Sequence, residues 1–575
     1  MKKIILSAGL LLAAATFAGA QNMYDAITFS RNNYYGTARS MALGNAVTAL
    51  GGDLGMIGIN PAGSAVAPYS QFVITPGLTI SAVGSSYSII GEQPLGDLYT
   101  SRFKESRMNL PNLGLSFNID MGNSRGLKSV TFAIVNNQTN NYNFYTEGFG
   151  TNDKTSIMGE FASSATGLLE ADLRDGSSFR ETDIPWDILT AYQGGMFGLL
   201  EEDGGYYGVT ETAVHTPYGL QPRVIAPLAQ TSIRSKRGSK NDLVMNIGFN
   251  ISDKFYLGFN LGMPMARYRY SETFAEAAVD PSRFVLTYTG GNETNFVRGS
   301  YNYQYTADIG GVYAKVGFIA RPARGLRIGA AFQTPTAYTV SETWQYFAQT
   351  SYSNVNYNDN ASSPRGEYAY ELRSPYVASF GAAYTFGKSG FISADYEITD
   401  YEITDYSVMR FREMHGGWGR DEQAFRKENQ TNKNFAGVSH SLRIGAEWRL
   451  NSEWFLRGGY SSTTSPERWW TNSDYVNVTA DDYAYEYDKY YATRVKNLVT
   501  PHYYGDRTRS WSAGLGYSSP GSFFLDAAVR MTRYPASTFA PYYDYLIVDE
   551  TPCDSPRMYD DYDLWNVSLT MGWRF

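Results

Sequence analysis

The chain has 575 residues, with 48 Lys and Arg against 56 Asp and Glu, which gives a formal net charge of −8 at pH 7. This acidic balance argues against a nucleic acid partner. Cys553 is the only cysteine, so there is no internal disulfide, and four His leave little for metal or haem chemistry. Aromatic residues make up 15% of the chain, including 47 Tyr, and 56 residues are Gly. This composition, with a mean hydropathy of −0.34, is typical of a membrane β-barrel, whose strands turn only every second side chain to lipid.

The first twenty residues predict an exported protein. Two lysines precede an apolar run at 4–17, and Ala18-Gly19-Ala20 supplies small residues for cleavage before Gln21. We interpret residues 1–20 as a signal peptide. A retained membrane anchor is the weaker alternative, because the apolar run is short for a bilayer span.

Residues 21–69 carry little β pattern and are rich in glycine and small apolar residues. Such residues allow close backbone approach, and Asn60 before Pro61 favours a sharp turn that wedges against a wall. We therefore predict a compact plug inside a barrel, here called the hatch. A flexible tether is the alternative, but the segment is too apolar for one. The residues that mark the hatch are Gly44, Asn45, Gly51, Gly52, Asp53, Asn60, Pro61 and Ala62.

Alternating apolar and polar residues predict an all-β chain after the hatch, over residues 70–575. In one segment Leu442, Ile444 and Trp448 alternate with Arg443 and Glu447, which gives a strand one apolar and one polar face. The pattern predicts fourteen strands, near 70–83, 110–120, 128–139, 241–252, 254–268, 305–321, 326–338, 368–386, 390–404, 439–450, 454–462, 508–518, 522–534 and 563–575.

The connections between these strands alternate strictly between long and short. The short ones are tight turns such as SDK (252–254), PARG (322–325) and NSE (451–453). A transmembrane up-and-down antiparallel barrel has short periplasmic turns and long external loops, whereas a soluble sandwich does not show this alternation. The pattern thus predicts an outer-membrane β-barrel.

The longest external connection, about 140–240, contains two stretches with helical spacing. Leu189, Tyr192 and Met196 belong to one of them, and Phe161 and Leu168 belong to the other. Short amphipathic helices are therefore expected at the outer mouth. Two hypotheses remain for them: they frame an apolar groove that captures a ligand, or they pack only as a lid.

The last strand alternates apolar residues and ends on Phe575. A terminal Phe on such a strand resembles the signal by which outer-membrane barrels are recognised. We expect the barrel-assembly machinery and outer-membrane lipid as partners.

Three short turn motifs resemble the N-terminal hatch of the FadL/TodX family. They are Gly44-Asn45, Gly51-Gly52-Asp53 and Asn60-Pro61-Ala62. Members of this family are outer-membrane transporters of long-chain fatty acids and other hydrophobic compounds. The resemblance implies a fourteen-stranded barrel, a hatch that plugs the lumen, and sideways release of substrate into the membrane. Across the barrel it covers architecture more than motif.

Strand parity turns Lys315, Arg443 and Arg530 towards the lumen, since their neighbours form the apolar rows. A cation facing lipid at mid-depth would cost about 2–4 kcal/mol. Two roles are open for these cations: they anchor a ligand carboxylate, or they form ion pairs with Glu447 and Asp526.

No nucleophile motif accompanies any of the four His, so no catalytic residue is predicted. No metal site and no cofactor are expected either. The sequence as a whole predicts passive uptake of hydrophobic molecules such as long-chain fatty acids, by hatch movement and lateral release. A structural or secretion-associated scaffold without a transport substrate is the alternative.

Overall fold

Fourteen antiparallel strands close into one barrel in a computed structural model, which describes residues 23–89, 100–200, 204–216, 219–287, 291–409, 420–421, 425–472, 477–480, 498–546 and 552–575. Strands that follow one another in the chain are paired, and the first strand also pairs with the last, with Gln71 opposite Arg574. The predicted signal peptide lies outside the described residues.

The barrel strands are β1 (Gln71–Ser88), β2 (Thr100–Asp120), β3 (Leu127–Asn141, continued as Phe144–Asn152), β4 (Leu228–Ile251), β5 (Phe255–Ala278), β6 (Glu293–Ala323), β7 (Leu326–Gln333, continued as Ala337–Tyr352), β8 (Gly366–Arg373, continued as Val377–Thr385), β9 (Gly390–Asp400, followed by Asp405–Met409), β10 (Val438–Arg449), β11 (Trp454–Thr464), β12 (Arg507–Ser518), β13 (Phe523–Arg533, followed by Ser537–Phe539) and β14 (Arg557–Arg574).

The fourteen strands predicted from the alternating pattern are confirmed. Several run further than predicted at the end that carries the long connections: β4 begins at Leu228 instead of 241, and β6 begins at Glu293 instead of 305. We call this end of the barrel the long-loop end and the opposite end the short-turn end. The predicted strands were too short at this end because the alternating pattern marks a strand only within the apolar outer surface of the barrel. Beyond that surface a strand can remain paired without alternating apolar residues.

The outer face of the barrel is apolar and the inner face is polar. In β10, Leu442, Ile444 and Trp448 are exposed on the outside, while Arg443 and Glu447 are buried on the inside. Polar side chains are buried in the lumen because they find partners there, whereas the exposed apolar row suits contact with lipid.

The connections at the long-loop end carry helices and small sheets. The helices are α3 (Ile157–Ser164), α4 (Glu170–Arg174), α5 (Ser178–Glu181), α6 (Trp186–Gln193) and α7 (Arg426–Phe435), with 3₁₀ turns at Pro281–Arg283, Val355–Tyr357 and Tyr401–Ile403. The short strands are Phe197–Leu199, Tyr206–Gly208, Glu211–Thr216, Gly219–Val224, Val285–Thr287, Asp359–Ser362, Arg420–Asp421, Arg468–Asn472, Asn477–Val478, Leu498–Tyr503, Tyr545–Leu546 and Pro552–Cys553. No helix in the described ranges is long and apolar enough to cross a membrane.

Helices α3 and α6 pack into a single apolar core at the long-loop end, which we call the lid core. It includes Met158, Phe161 and Leu189 from the helices and Phe274 and Phe296 from β5 and β6. Leu189 is fully buried in it, and Leu199 is 41% exposed. Leu189 is therefore part of a packed lid and does not line an open groove.

The chain before β1 lies against inward-facing residues of the barrel wall. It contains α1 (Met23–Ser30), α2 (Ala38–Ala42) and 3₁₀ turns at Leu54–Met56 and Pro61–Val66. Met23 and Ile27 pack with Phe435 of α7, so this part of the chain starts near the long-loop end. It then runs to the short-turn end, where β1 begins.

Candidate functional site

Side-chain caps shape the two 3₁₀ turns of the N-terminal segment. Asp53 Oδ1 accepts hydrogen bonds from Gly55 N at 2.8 Å and from Thr37 Oγ1 at 2.7 Å. Asn60 Oδ1 accepts from Ala62 N at 3.1 Å, and Pro61 occupies the first position of its turn. Aspartate and asparagine are preferred as caps, and proline tolerates this first position because its missing N–H would have no partner there.

Asn60 also ties this turn to the wall. Its Nδ2 donates to the carbonyl oxygens of Thr48 at 2.7 Å and of Phe318 in β6 at 3.0 Å. The sharp turn expected at Asn60-Pro61 is present and contacts the wall directly, and Ala62 beside it is fully buried.

The remaining glycine-rich positions form tight turns. Gly44 and Asn45 are adjacent residues with φ of 61° and 60°, a region that glycine and asparagine tolerate best. Gly51 and Gly52 also have positive φ, and Gly52 N donates to Gly63 O at 2.8 Å. These turns allow the segment to fold back on itself within the width of the lumen.

Two of the three cations singled out in the sequence hold backbone carbonyls of the N-terminal segment. Lys315 Nζ donates to Gly58 O at 2.6 Å, and Arg530 Nη1 donates to Tyr34 O at 2.8 Å. Among the described residues, neither cation is in an ion pair with a carboxylate. A buried charge of this kind is stabilised by the carbonyl dipoles of the segment that covers it.

The third cation, Arg443, contacts both a carboxylate and a cavity. Its Nη2 is 2.7 Å from Glu397 Oε1, and its guanidinium carbon lies 5.1 Å from the centre of the Tyr34 ring. Its Nη1 is buried and has no hydrogen-bond partner in the part of the chain that the structure describes.

Arg443 lines a cavity of about 40 Å³ between the N-terminal segment and the wall. Hydroxyl and amide side chains make up much of the lining, including Asn32, Thr336, Ser374, Thr399 and Ser441. The volume suits a carboxylate group or a few waters.

The ion pairs differ from those expected for Glu447 and Asp526. Both carboxylates bind Arg457, with Glu447 at 2.7 Å, and Glu447 also binds Arg39 of α2 at 3.1 Å. Sequence parity had identified the lumen-facing charges correctly. It did not identify the partners, because pairing depends on which strands are neighbours and on how the N-terminal segment folds.

Two further cations that sequence reasoning missed also bind the N-terminal segment. Lys240 Nζ donates to Phe29 O at 2.9 Å and to Arg31 O at 2.6 Å, and Arg327 Nη1 donates to Leu50 O at 2.8 Å. Lys240 precedes the predicted start of its strand by one residue, so the alternation was not applied to it. Extending the alternation backwards from Asp242 would have included it.

Above the cavity, towards the long-loop end, α1 is enclosed by aromatic residues of the wall. Ala26 and Phe29 pack with a buried cluster that includes Tyr142, Tyr268 and Tyr305. The Phe29 and Tyr268 rings meet edge to face, with their centres 5.8 Å apart. The described part of the lumen thus contains an aromatic layer that α1 occupies.

The wall has an interruption between β2 and β3, here called the window. β2 and β3 are paired from Asp120 up to Asn112, which lies opposite Asn137. Above that point, residues 100–109 of β2 pair with β1 but have no described backbone pairing with β3 or its continuation. β3 is interrupted between Asn141 and Phe144, and its continuation pairs with β4.

Side chains replace the missing backbone bonds at the lower part of the window. Asn109 Nδ2 donates to Gln138 Oε1 at 2.6 Å, and Asn112 Nδ2 donates to Asn137 Oδ1 at 2.7 Å. Met108, on the outer surface beside the window, is 86% exposed. The lower part of the window therefore has a polar inner edge, with Met108 and Leu110 exposed on the outside.

The N-terminal segment is hydrogen-bonded to the inner edge of the window. Asn33 N donates to Thr139 O at 2.7 Å, and Tyr35 N donates to Gln138 O at 3.1 Å. Asn33 Nδ2 also reaches Asn140 Oδ1 at 3.1 Å. The same short stretch, residues 33–35, thus contacts both the window and, through Tyr34, the cations around the cavity.

Comparison with solved structures finds similar barrels. A FadL homologue of Pseudomonas aeruginosa is similar over 94% of this chain and 98% of its own, with 12% identity and a TM-score of 0.47. The toluene transporter TodX of P. putida has 9% identity and a TM-score of 0.44 over the same shares. The toluene transporter TbuX of Ralstonia pickettii has 11% identity and a TM-score of 0.39, again over 94% of this chain and 98% of its own.

No protein-family model and no curated protein matches the chain. Two of the three structures carry the names of the family that the hatch sequence resembles. At these identities and TM-scores, the similarity does not assign a function to this chain. A proposal on function therefore rests on the contacts described above.

Proposed function

We propose that this protein is an outer-membrane channel for the passive uptake of hydrophobic molecules such as long-chain fatty acids. In this proposal the N-terminal segment is a hatch that closes the lumen, and ligand leaves sideways through the window between β2 and β3. The observation that carries the proposal is the hydrogen bonding of residues 33–35 to the window edge, since it links closure of the lumen to closure of the wall.

The location in the outer membrane is supported by the surface of the barrel. Exposed apolar residues such as Phe117, Phe259, Ile392 and Trp565 lie on the outward face of strands around the wall. In water this surface would cost about 25 cal/mol for each Å² of apolar area, so a lipid environment is favoured. The short-turn end would face the periplasm, because an exported barrel keeps short turns there.

The hatch role of residues 21–69 is supported by burial. Met41, Leu43, Ile57 and Ile59 are all buried inside the barrel, which favours a packed plug over a solvated tether. A hydrophobic ligand that passes through the lumen must displace part of this segment. Residues 33–36 are the part that contacts the window, so their displacement would also free the window edge.

The cations give the ligand a preferred orientation. Arg443 lines the cavity and has an Nη1 atom without a partner among the described residues, while Lys315 and Arg530 hold carbonyls at Gly58 and Tyr34. A ligand carboxylate would replace these carbonyls if the hatch shifted, and its tail would lie among the tyrosines that now enclose α1. An apolar site with a few fixed polar groups is the usual layout for such a ligand.

Lipid binding tests this proposal directly. Purified protein is stripped of lipid, reloaded with a mixture of long-chain fatty acids and phospholipids, and analysed by native mass spectrometry. We expect one fatty acid to be retained per barrel. If the protein retains no amphiphile, the transport proposal fails and a scaffold without a transport substrate is favoured.

A further inference from the structure

The inner wall of the barrel carries a ring of glycines that all face the N-terminal segment. A methyl group built on any of them would meet that segment within about 3.3 Å. They lie three to six residues from the short-turn end of their strands. The ring consists of Gly114, Gly248, Gly258, Gly317, Gly329, Gly381, Gly445, Gly459 and Gly514.

Seven of these glycines form groups that are in register on neighbouring strands. Gly258 of β5 lies opposite both Gly248 of β4 and Gly317 of β6. Gly329 of β7 lies opposite Gly381 of β8, and Gly445 of β10 lies opposite Gly459 of β11. Glycine weakens a strand, so its repeated pairing in the ladder indicates a close approach by another part of the chain.

Each group receives one turn of the hatch, and we call the three groups seats. The first seat, at Gly248, Gly258 and Gly317, faces residues 60–65, and the second, at Gly329 and Gly381, faces Thr48 and Ala49. The third seat, at Gly445 and Gly459, faces Leu43 and Gly44.

At each seat at least one glycine faces hatch backbone atoms, which move less easily than side-chain ends; these glycines are Gly258, Gly329, Gly445 and Gly459. A Cβ on Gly459 would lie 2.8 Å from the Cα of Gly44 and closer still to its amide nitrogen. A Cβ on Gly445 would lie 3.1 Å from the carbonyl carbon of Leu43, and one on Gly329 would lie 2.9 Å from that of Thr48. One methyl group at a seat therefore requires the hatch to shift.

Polar wall groups next to the seats bind the same hatch turns. At the first seat, Asn246 Nδ2 donates to Pro61 O at 3.0 Å. At the second seat, Asp395 Oδ2 accepts from Thr48 N at 2.7 Å. Beside the third seat, Ser512 Oγ donates to Ala42 O at 3.0 Å. Each seat thus combines space for the hatch backbone with a polar wall side chain that binds that backbone.

We propose that these three glycine seats determine the closed position of the hatch, and that filling a seat opens the lumen. The inference rests on the proposed function, because it assumes that the hatch blocks passage. It goes beyond that function by assigning closure to wall positions that touch no ligand. All three seats lie on β4 to β11, away from the window between β2 and β3.

The test uses neighbouring glycines of one strand. Gly459→Ala fills the third seat, whereas Gly458→Ala adds the same methyl group on the outer face, where the nearest atom is Ser512 O at 4.0 Å. Gly445→Ala is a second seat variant, and Gly310→Ala, with no atom within 4 Å, is a second control. Ion conductance of each full-length variant is measured in planar bilayers, and barrel assembly is checked by heat-modifiable migration on gels.

We expect the seat variants to conduct at least fivefold more than wild type, while both controls conduct as wild type does. Seat variants that assemble and remain closed would overturn the inference. A protein lacking residues 23–66 separates the two proposals. If this deletion variant conducts while the seat variants stay closed, the hatch closes the lumen but the seats do not determine its closed position. If it too stays closed, the proposed function fails.

If a seat variant does not assemble, the same deletion shows whether the hatch or the barrel is the cause. When Gly459→Ala is placed in the protein lacking residues 23–66, restored assembly supports a clash with the hatch. Failure to assemble in both backgrounds contradicts the inference, because the methyl group would then disturb the barrel itself.

Discussion

Arg443 is the residue at which the two roles of a lumen cation can be separated. Its Nη2 atom is paired with Glu397, and its Nη1 atom has no hydrogen-bond partner among the described residues. The pairing satisfies one half of the guanidinium and thereby fixes its position, since Arg presents a rigid fork of donors. The other half remains available for a ligand.

Arg443→Gln should weaken binding of a long-chain fatty acid about tenfold or more, because a hydrogen bond to a charged group contributes about 1.5–3 kcal/mol. Binding of the uncharged methyl ester should change little. Isothermal titration of both ligands measures the difference. Arg457→Gln is the matched control: Arg457 is also buried and paired, but it does not line the cavity. Equal losses for acid and ester would leave Arg443 with a structural role only.

Pro61 fixes the turn that binds the wall through Asn60. Pro61→Gly should loosen this turn, because the fixed proline dihedral and its restriction on Asn60 are both lost. The barrel should still assemble, while the rate of fatty acid uptake by cells should change at least twofold. Pro520→Gly, in an exposed short turn, is the control and should behave as wild type. Uptake that matches wild type in both variants would reduce Asn60-Pro61-Ala62 to a folding signal.

At the scale of elements, the strands could be predicted and their interruptions could not. Alternation located β10 to within about one residue, since Leu442, Ile444 and Trp448 face outwards without exception. The break in β3 falls in an asparagine-rich run, residues 136–143, where nearly all side chains are polar and the alternation gives no direction. The window therefore became visible only from strand pairing.

In the N-terminal segment, too, the sequence predicted local turns but not contacts with distant strands. The turns at Gly44-Asn45 and Asn60-Pro61 could be predicted because each residue favours a particular backbone shape. The position of α1 among tyrosines of distant strands could not be predicted, because it depends on contacts between residues such as Phe29 and Tyr268 that lie far apart in the chain.

The lid contains two buried carboxylates that predict a pH dependence. Burial raises the pKa of Glu160 in α3 to about 8 and that of Glu211 to about 7. Because these values exceed those of the unfolded chain, near 4.3, the contribution of the two carboxyls to lid stability is fully present below about pH 4.3 and decreases as pH rises above it. The stability of the lid should then fall as pH rises through 7 and 8.

Hydrogen exchange of the lid helices, corrected for the intrinsic pH dependence of exchange, measures this loss. Linkage predicts that the opening constant grows about tenfold for each pH unit and each carboxylate within its window. Glu160→Gln should remove the part of the dependence that comes from Glu160, since an amide does not ionise, and leave the part from Glu211, while Glu181→Gln on the exposed end of α5 should leave the whole dependence unchanged. A flat profile for wild type between pH 6 and 9 would contradict the prediction.

At the scale of the whole molecule, the barrel contains three layers from the long-loop end to the short-turn end. The lid core comes first, the aromatic layer around α1 follows, and residues 42–65 of the N-terminal segment lie below both. The window lies beside the stretch where α1 passes into the hatch. A ligand that enters from outside meets the window before it meets the seats, so the seated part need not leave the lumen during uptake.

The central claim is that ligand leaves through the window, and a reversible cross-link across it is the most direct test. Asn109→Cys and Gln138→Cys are combined with Cys553→Ser and joined by a cleavable bifunctional thiol reagent. Trp448→Cys with Leu456→Cys, an exposed outward pair on the continuous ladder between β10 and β11, is the control. Uptake of labelled long-chain fatty acid should fall at least tenfold when the window is cross-linked, return on reduction, and be unaffected in the control. Full uptake through the cross-linked window would contradict lateral release.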